Sequence, residues 1–355
     1  MTYLQPNPLS IVGYLDGNYP HYLDHLAPLC SLMNWPLVIT DPSIFSLALE
    51  LYPDLEASYI DPLLAPFEIT AKFETVLTTL PRGFFDQLFF MAEKLQQKRV
   101  KTVWLPHGNS DKGHLKGSLE ELAHEECVLV YGQKMISLLE QKNALASIPH
   151  VIPIGNFRSI YAEKHKTFYE HSLTSKRIPN SFVLYAPTWK DAESSSSFHY
   201  AFKELIKHLK DAPLVVKLHP HLEEEISVMC QKLKSPPSVI WVEDFPPIYP
   251  LLARATHLIG DFSSVGYDFL TFNRPMFFFN PLNRSQEDLG RTLHHYGETL
   301  SLDTLEELPL KLSHPDYQKE LSSLRKALYE HTFGPLADWD HYAHQLLEKL
   351  KLFIG

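Results

Sequence analysis

The sequence contains only three cysteines, Cys30, Cys127 and Cys230, and their separations match neither a metal site nor a disulfide framework. Their scarcity predicts a reduced protein without a structural metal. No apolar run approaches the roughly 20 residues that a membrane-spanning helix needs, and the first residues lack the basic and then apolar profile of a secretory signal. We therefore expect a cytoplasmic protein that can meet a membrane only at its surface.

Basic residues are too few for a general nucleic-acid-binding protein. The 32 lysines and arginines face 42 aspartates and glutamates, which gives a formal net charge of −10, whereas neutralising nucleic-acid phosphates requires a basic surface. We therefore expect no nucleic-acid partner. A small anionic ligand held by a few local cations remains compatible with this charge.

Short apolar segments alternate with helical patterns along the whole chain, which at 355 residues is too long for one ordinary core. Strands separated by helices indicate parallel βαβ units. A polar stretch within residues 160–180 interrupts this alternation. We predict an α/β fold with two Rossmann-like, doubly wound parallel-sheet domains that face a cleft. The expected domains are 1–165 and 175–335, and a closing helix at 336–355 is expected to pack back on the first domain.

Polar and ionisable residues follow four of the predicted strands. In open parallel sheets, ligands bind outside the carboxyl ends of the strands. The clusters that fall at such positions are Pro106-His107-Gly108, Pro187 to Asp191, His219-Pro220-His221 and Asp261 to Ser264. Parallel strands would bring the clusters of one domain to one edge of its sheet, so we expect the ligand site there.

The segment Gly260-Asp261-Phe262-Ser263-Ser264 lies between a predicted strand and a predicted helix. The first turn of a helix presents free backbone N–H groups and a partial positive charge. Two serine hydroxyls beside that turn would suit a diphosphate. A simple helix cap would explain one serine equally well, so the spacing alone leaves both interpretations open.

Two histidines at strand exits are candidate catalytic groups. Gly108 allows a turn from which His107 projects, and a histidine can accept a proton from an attacking hydroxyl near neutral pH. The alternative for His107 is a ring satisfied by a backbone hydrogen bond. His219 could donate to a phosphate oxygen as charge develops there. His219 and His221 have no third ligand at a suitable spacing, so no metal site is expected. The pair His294-His295 is expected at the surface.

Taken together, these segments resemble the CDP-glycerol glycerophosphotransferase family, which includes the teichoic acid polymerases and primases. The matching segments are "LPHGNSDKG", "LYAPTWKD", "VVKLHPH" and "HLIGDFSSVGYDFLTFNRPMFFFNP", with a weaker match in "IGNFR" at 154–158. The resemblance covers residues 100–355 and is strongest between 182 and 281.

The resemblance implies a GT-B fold and a transferase of cell-envelope biosynthesis. Such an enzyme would move an alditol phosphate from a CDP-activated donor to a hydroxyl on a membrane-linked glycan or polymer, without a cofactor. His107 would be the catalytic base, and His219 would lie near the donor diphosphate. The other site residues it implies are Asp261, Ser263, Ser264, Thr188 and Lys190 at the donor diphosphate, Asp244, Phe245 and Pro246 at the nucleotide, and Gly108, Lys112 and Arg158 on the acceptor or phosphate side.

The run Asn109-Ser110-Asp111-Lys112 departs from the Thr-Pro and lysine that usually follow His-Gly in this family. A teichoic acid product is therefore not assumed. Two alternatives remain: a GT-B glycosyltransferase that uses a nucleotide sugar, and a non-catalytic module that binds a nucleotide.

A peripheral position on the inner face of the cell membrane is expected mainly from the resemblance. Local support comes from an amphipathic tail and from a basic segment. The basic residues are Lys94, Lys98, Arg99 and Lys101.

Overall fold

The computed structural model describes residues 7, 9–111, 120–189, 195–209, 212–230, 236–335 and 339–355. These residues form two compact units. Unit 1 holds the described residues up to 108, residues 120–165 and residues 330–355. Unit 2 holds residues 109–111 and the described residues from 166 to 329. The short segment after Gly108 thus belongs with unit 2, and the C-terminal helix belongs with unit 1.

Unit 1 is built on a seven-stranded sheet in which every neighbouring pair of strands is parallel. Its strands are β1 (Ile11–Leu15), β2 (Leu37–Ile39), β3 (Ala57–Tyr59), β4 (Thr75–Thr78), β5 (Lys101–Trp104), β6 (Cys127–Val130) and β7 (His150–Pro153). Its helices are α1 (Pro20–Met33), α2 (Pro42–Leu51), α3 (Ala65–Lys72), α4 (Arg82–Gln96), α5 (Gln133–Gln141) and α6 (Phe157–Lys164). The strand order is β3-β2-β1-β4-β5-β6-β7.

Unit 2 is built on a six-stranded sheet that is also parallel throughout. Its strands are β8 (Phe182–Tyr185), β9 (Leu214–Val216), β10 (Val239–Trp241), β11 (Ala255–Gly260), β12 (Met276–Phe279) and β13 (Glu298–Leu300). Its helices are α7 (Lys166–Ser175), α8 (Phe198–His208), α9 (Pro220–Cys230), α10 (Ile248–Arg254), α11 (Val265–Phe269), α12 (Leu308–Ser313) and α13 (Ser322–Phe333), whose last residues extend into unit 1. The strand order is β10-β9-β8-β11-β12-β13.

The same reversal of strand order occurs in both sheets. The chain adds strands in one direction from β1 and from β8, then returns to add β4 beside β1 and β11 beside β8. This is the doubly wound arrangement, in which a crevice opens where the order reverses. The predicted fold class, two Rossmann-like parallel-sheet domains, is confirmed.

The buried strands explain why the sequence forms these sheets. Strands covered by helices on both faces read as continuous apolar runs, and every residue of β1, β4, β6, β8 and β12 is buried. In unit 1, Tyr14 packs edge-on against Phe89 of α4. In unit 2, Tyr185 stacks on Phe202 of α8. Each sheet therefore has its own hydrophobic core.

The C-terminal helix α14 (Trp339–Ile354) packs on β7 of unit 1. The Lys101 Nζ donates hydrogen bonds to the carbonyls of Phe353 (2.8 Å) and Ile354 (2.9 Å). Both carbonyls lie in the last turn of the helix, where they have no hydrogen-bond donor within the helix itself. Gly155 adopts φ +63°, and a Cβ placed there would lie 2.5 Å from the ring of Tyr342. The helix therefore rests on a position that only glycine can fill.

Candidate functional site

The exits of three adjacent strands of unit 2 carry the residues that the sequence singles out. β9, β8 and β11 are consecutive in the sheet. They are followed by His219, by Thr188 and by the pair Ser263-Ser264. Because parallel strands end at one edge of the sheet, these side chains share one edge, beside the reversal between β8 and β11.

Asp261 is the central acceptor of this edge. Its carboxylate accepts hydrogen bonds from the backbone N–H of Thr188 (2.9 Å), from the backbone N–H of Ser197 (2.7 Å) and from the Ser197 hydroxyl (2.8 Å). Asp261 is 0% exposed. A carboxylate with several N–H and O–H donors is stable when buried. Asp261 therefore ties the loop after β8 to the loop after β11, and its carboxylate does not face solvent.

Ser263 and Ser264 are half-buried, in contrast to Asp261. Ser264 is the N-cap residue of α11 but makes no side-chain capping hydrogen bond. The Ser263 hydroxyl oxygen accepts a hydrogen bond from the Val265 N–H at 3.4 Å. Of the two interpretations drawn from the sequence, the cap therefore accounts for Ser263, whose hydroxyl accepts from the helix start, but not for Ser264. Its hydroxyl is not used to cap the helix.

His219 is held in a defined orientation by the start of α9. Its carbonyl accepts hydrogen bonds from the N–H groups of Leu222 (2.8 Å) and Glu223 (2.9 Å). Its ring Nδ1 faces the N–H of His221 at 3.3 Å. A nitrogen that accepts from an N–H carries no proton, so this contact favours the tautomer with the proton on Nε2. His219 is thus arranged as a hydrogen-bond donor through Nε2.

Trp189 closes one side of the histidine pair. Its ring centroid lies 6.0 Å from that of His219 and 5.0 Å from that of His221. Trp189 is 37% exposed, so a large ring borders the edge while remaining accessible. Lys190, expected to bind the diphosphate, lies outside the described residues.

The turn expected to hold the nucleobase follows β10. Asp244 is exposed and has φ +47°, and Pro246 is half-buried. Phe245 is 0% exposed, with the Lys176 Nζ 5.9 Å from its ring centroid. Phe245 has no exposed surface here, so in this structure its ring anchors the turn.

His107 lies in unit 1 at the exit of β5, and Gly108 beside it has φ +131°, a conformation that favours glycine. Taken as a whole residue, His107 is exposed. It nevertheless has protein close on several sides, including the ring of Tyr22 at a centroid distance of 4.9 Å. Removal of water by these surroundings lowers the pKa of His107 to about 4. The ring is therefore neutral near pH 7 and has a nitrogen that can accept a proton.

Two aromatic rings of α1 accompany His107, and the sequence analysis did not identify them. His21 and Tyr22 lie in the first turn of α1, with ring centroids 4.3 Å apart. The His21 centroid lies 6.2 Å from that of His107. The available signal was the segment "PHYLDHL", in which proline marks a helix start and two histidines four residues apart share one face.

Arg158, expected on the acceptor or phosphate side, is 4% exposed and lies inside unit 1. Its Nη1 donates to the Asp24 carboxylate at 3.0 Å and lies 3.4 Å from the His25 Nε2. The Asp24 carboxylate also accepts from the Tyr52 hydroxyl at 3.1 Å. Burial of the guanidinium in this cluster makes Arg158 an interior residue. Lys112, expected on the same side, lies outside the described residues.

The expectation that both histidines of the pair His294-His295 lie at the surface is wrong for His294. His294 is 4% exposed, and its ring stacks between Phe262 and Phe278, with centroids 4.8 Å away on each side. Its Nε2 lies 3.2 Å from the Asp261 carbonyl oxygen. Burial lowers the pKa of His294 to about 4. His294 thus supports the same loop that presents the two serines.

Among the residues that the structure describes, no group of three or more histidine, cysteine, aspartate or glutamate side chains is placed to hold a metal ion. Within the same residues, no helix is both long enough and apolar enough to cross a membrane.

Part of the chain matches a known protein family. Residues 164–287 match the model of the family described as CDP-Glycerol:Poly(glycerophosphate) glycerophosphotransferase. The resemblance to the CDP-glycerol glycerophosphotransferase family is confirmed. The matched residues belong almost entirely to unit 2 and include the loops after β8, β9 and β11.

Two curated relatives support the same family. A teichoic acid glycerol-phosphate primase of Bacillus spizizenii is 31% identical over 122 residues, which is 33% of this chain and 30% of the primase. A teichoic acid ribitol-phosphate primase of the same organism is 24% identical over 166 residues, which is 39% of this chain and 40% of that protein. The alignments thus span well under half of the length of either primase.

Solved structures match over nearly the whole chain. A structure of the wall teichoic acid polymerase TagF with the substitution H548A has a TM-score of 0.68 at 14% identity, covering 98% of this chain and 89% of the polymerase. The Staphylococcus aureus MnaA-UDP structure has a TM-score of 0.61 at 14% identity, covering 97% and 96%. At this identity the matches establish the fold, which is GT-B.

Proposed function

We propose that the protein is a transferase that moves an alditol phosphate, such as glycerol phosphate, from a CDP-activated donor to a hydroxyl of a membrane-linked glycan or polymer. The observation that carries the proposal is the edge formed by the exits of β9, β8 and β11. This edge carries the half-buried pair Ser263-Ser264, and the Ser264 hydroxyl does not cap α11. It also carries His219, whose contact with the His221 N–H favours a proton on Nε2. The family match covers this edge.

The donor diphosphate suits this edge because its oxygens accept hydrogen bonds. Ser263 and Ser264 supply hydroxyl donors, and the loop they occupy is held in place by the buried Asp261. The His219 Nε2–H would donate to a phosphate oxygen as negative charge grows on the leaving group. Phosphoryl transfer depends mainly on positioning and charge stabilisation, and this edge provides donors that are already oriented.

The transfer step exchanges one P–O bond for another. The acceptor hydroxyl oxygen forms a bond to the β-phosphorus of the donor, the bond from that phosphorus to the bridging oxygen breaks, and CMP leaves with that oxygen. The hydroxyl proton passes to His107, which is neutral near pH 7 because its pKa is lowered to about 4. A base with so low a pKa accepts the proton late, as the oxygen becomes attached to phosphorus.

A ligand screen by thermal shift tests the donor assignment, since a ligand that binds the folded state raises its apparent stability. We expect CDP-glycerol or CDP-ribitol to raise the Tm, and Ser263→Ala/Ser264→Ala to reduce the shift at a given concentration. His295→Ala, an exposed residue of the same unit, serves as the matched control. Stabilisation by UDP or UDP-sugars alone would refute the CDP assignment and favour a glycosyltransferase.

Turnover is tested by CMP release from CDP-glycerol in the presence of a lipid-linked acceptor. We expect His107→Ala and His219→Ala each to lower kcat by about 100-fold or more, in line with the loss of general-base and charge-stabilising groups. Binding of CDP without CMP release in any acceptor mixture would leave a nucleotide-binding module as the function.

The same proposal includes a peripheral membrane position, and α4 supplies its surface. One face of α4 packs inward through Phe85, Phe89 and Ala92. Another face exposes an apolar stripe at helical spacing, which a solvated helix would not need. The stripe consists of Phe84 (59% exposed), Leu88 (41%), Met91 (56%) and Leu95 (68%).

Among the basic residues near this stripe, Lys94 is the one that best suits an anionic bilayer. Lys94 is exposed on α4, with its Nζ 5.8 Å from the ring centroid of Phe90, which is itself 54% exposed. Lys98 and Arg99 follow the helix and pair with acidic side chains at 3.0 and 3.3 Å. Lys101 does not contribute, because it binds the end of α14. An apolar stripe bordered by basic residues is typical of a helix that lies in the lipid headgroup region.

Co-sedimentation with vesicles of phosphatidylglycerol and phosphatidylethanolamine tests this surface. Phe84→Ser/Leu95→Ser should weaken binding at least about 100-fold, because each of the two side chains contributes roughly 1.5–3 kcal/mol when buried in lipid. Leu49→Ser/Leu310→Ser changes two leucines of similar exposure, 61% and 75%, elsewhere on the chain. Equal loss in both variants, or no vesicle binding by the wild type, would refute the membrane surface.

A further inference from the structure

We propose that Tyr131 is a positioning residue that fixes the orientation of His107 through the carbonyl of Pro106. The catalytic consequence rests on the function proposed above. Tyr131 directly follows β6 and is 1% exposed. Its ring is stacked on Phe157 and meets Phe333 edge-on. The hydroxyl therefore has a fixed place inside unit 1.

A chain of contacts runs from Arg158 to the residue before His107. The Arg158 Nη1 lies 3.4 Å from the His25 Nε2, the His25 Nδ1 lies 2.6 Å from the Tyr131 hydroxyl, and that hydroxyl lies 3.2 Å from the Pro106 carbonyl oxygen. All of these groups belong to unit 1.

Only one assignment of protons satisfies every contact. A guanidinium can only donate, so the His25 Nε2 must accept from Arg158. A neutral His25 then carries its proton on Nδ1 and donates to the Tyr131 oxygen, which leaves the Tyr131 proton for the Pro106 carbonyl. Burial and the charge of Arg158 lower the pKa of His25 well below its usual range, which keeps this neutral form at physiological pH.

The Pro106 carbonyl belongs to the peptide plane that continues into the N–H of His107. Fixing that oxygen fixes the plane on one side of His107, while Gly108 at φ +131° reverses the chain on the other side. The backbone of His107 then has one conformation, which directs its imidazole onto the ring of Tyr22. Without the Tyr131 hydroxyl, the plane can rotate and the ring can move away from its place.

The test is Tyr131→Phe, which keeps the ring and removes only the hydroxyl. The matched control is Tyr161→Phe, since Tyr161 is also 1% exposed and its hydroxyl also donates to a proline carbonyl, that of Pro53, at 2.7 Å. The first readout is the His107 ring signal in NMR spectra of histidine-labelled protein, assigned by its absence in His107→Gln. It needs no enzymatic activity.

We expect Tyr131→Phe to shift or broaden the His107 ring signal and to move its titration midpoint toward 6.5, whereas Tyr161→Phe leaves both as in the wild type. In the transfer assay we expect kcat to fall roughly 10- to 100-fold with the KM for the donor unchanged, as for a small misplacement of a reacting group. A changed NMR signal in a protein without transferase activity would uphold the positioning and refute the proposed function. An unchanged signal and unchanged kcat in Tyr131→Phe, or equal changes in both variants, would overturn the positioning.

Discussion

His294 makes the stability of unit 2 depend on pH. Its Nε2 lies 3.2 Å from the Asp261 carbonyl, so a neutral ring donates there and leaves Nδ1 unprotonated. Within the described residues, the buried Nδ1 has no hydrogen-bond partner, and phenylalanine rings cover both faces of the ring. A second proton would therefore enter an apolar space, and the nearby guanidinium of Arg291 opposes it further.

The size of the effect follows from the two pKa values. The folded value is about 4, and the unfolded chain has about 6.5. Between these values the unfolded state binds more protons than the folded state, so stability is retained above 6.5 and lost as the pH falls below it. Going from pH 7 to pH 5 should lower the free energy of unfolding by about 2 kcal/mol through this residue alone, because about 1.5 pH units of this range lie below the unfolded pKa and each costs about 1.36 kcal/mol.

Urea unfolding followed by tryptophan fluorescence at pH 7 and pH 5 measures this loss. His294→Gln keeps a side-chain N–H for the Asp261 carbonyl and removes the titration, so its loss should be about 2 kcal/mol smaller than that of the wild type. His295→Gln changes the exposed neighbour and should keep the wild-type dependence. If His294→Gln loses as much stability as the wild type, the apolar burial of a neutral ring is not the cause.

Three further predictions concern the two sheet edges and the closing helix. Asp261→Asn replaces one acceptor oxygen by a donor that faces the Ser197 N–H, so unfolding by urea should become easier by about 1.5–3 kcal/mol and CDP-glycerol binding should weaken. Because the pKa of His107 is lowered to about 4, kcat/KM should stay flat from pH 8 to pH 6 in stopped assays and fall only as the pH approaches 4. A fall centred near 6.5 would show an ordinary histidine. Gly155→Ala combines φ +63° with a Cβ 2.5 Å from Tyr342, so it should lower stability by about 1–3 kcal/mol, measured as a drop in Tm.

The sequence was sufficient for the fold because parallel strands buried on both faces are readable from composition. "FVLY" and "MFFF" are apolar throughout and end at polar loops, and the structure has them as β8 and β12. Three strands, β3, β4 and β13, do not stand out in the sequence pattern. β3 and β13 have three residues each, and β4 begins and ends with threonine. Such short or mixed segments acquire their conformation from neighbouring strands, which local patterns do not contain.

The sequence was enough to predict which loops carry the candidate site residues. It was not enough to predict the direction in which each side chain points. The rule that ligands bind where parallel strands end selected His107, His219 and the serine pair, and the structure has each of them in a loop that follows a strand. It could not tell that Asp261 turns inward, because the donors that stabilise its carboxylate come from Thr188 and from Ser197, 73 and 64 residues away. Partners so distant in sequence are set by the strand order alone.

Within the run that follows His107, Asp111 has a structural role in unit 2. Asp111 lies in unit 2 and is 6% exposed. Its carboxylate accepts hydrogen bonds from the Tyr267 hydroxyl and, at 3.0 Å, from the Leu293 N–H. A buried carboxylate is stable only with such donors, and both come from elements that frame the serine loop, since Tyr267 is in α11 and Leu293 precedes His294. Asp111 therefore stabilises the elements that frame the serine loop, so a substitution of Asp111 should be tested by CDP-glycerol binding as well as by transfer to an acceptor.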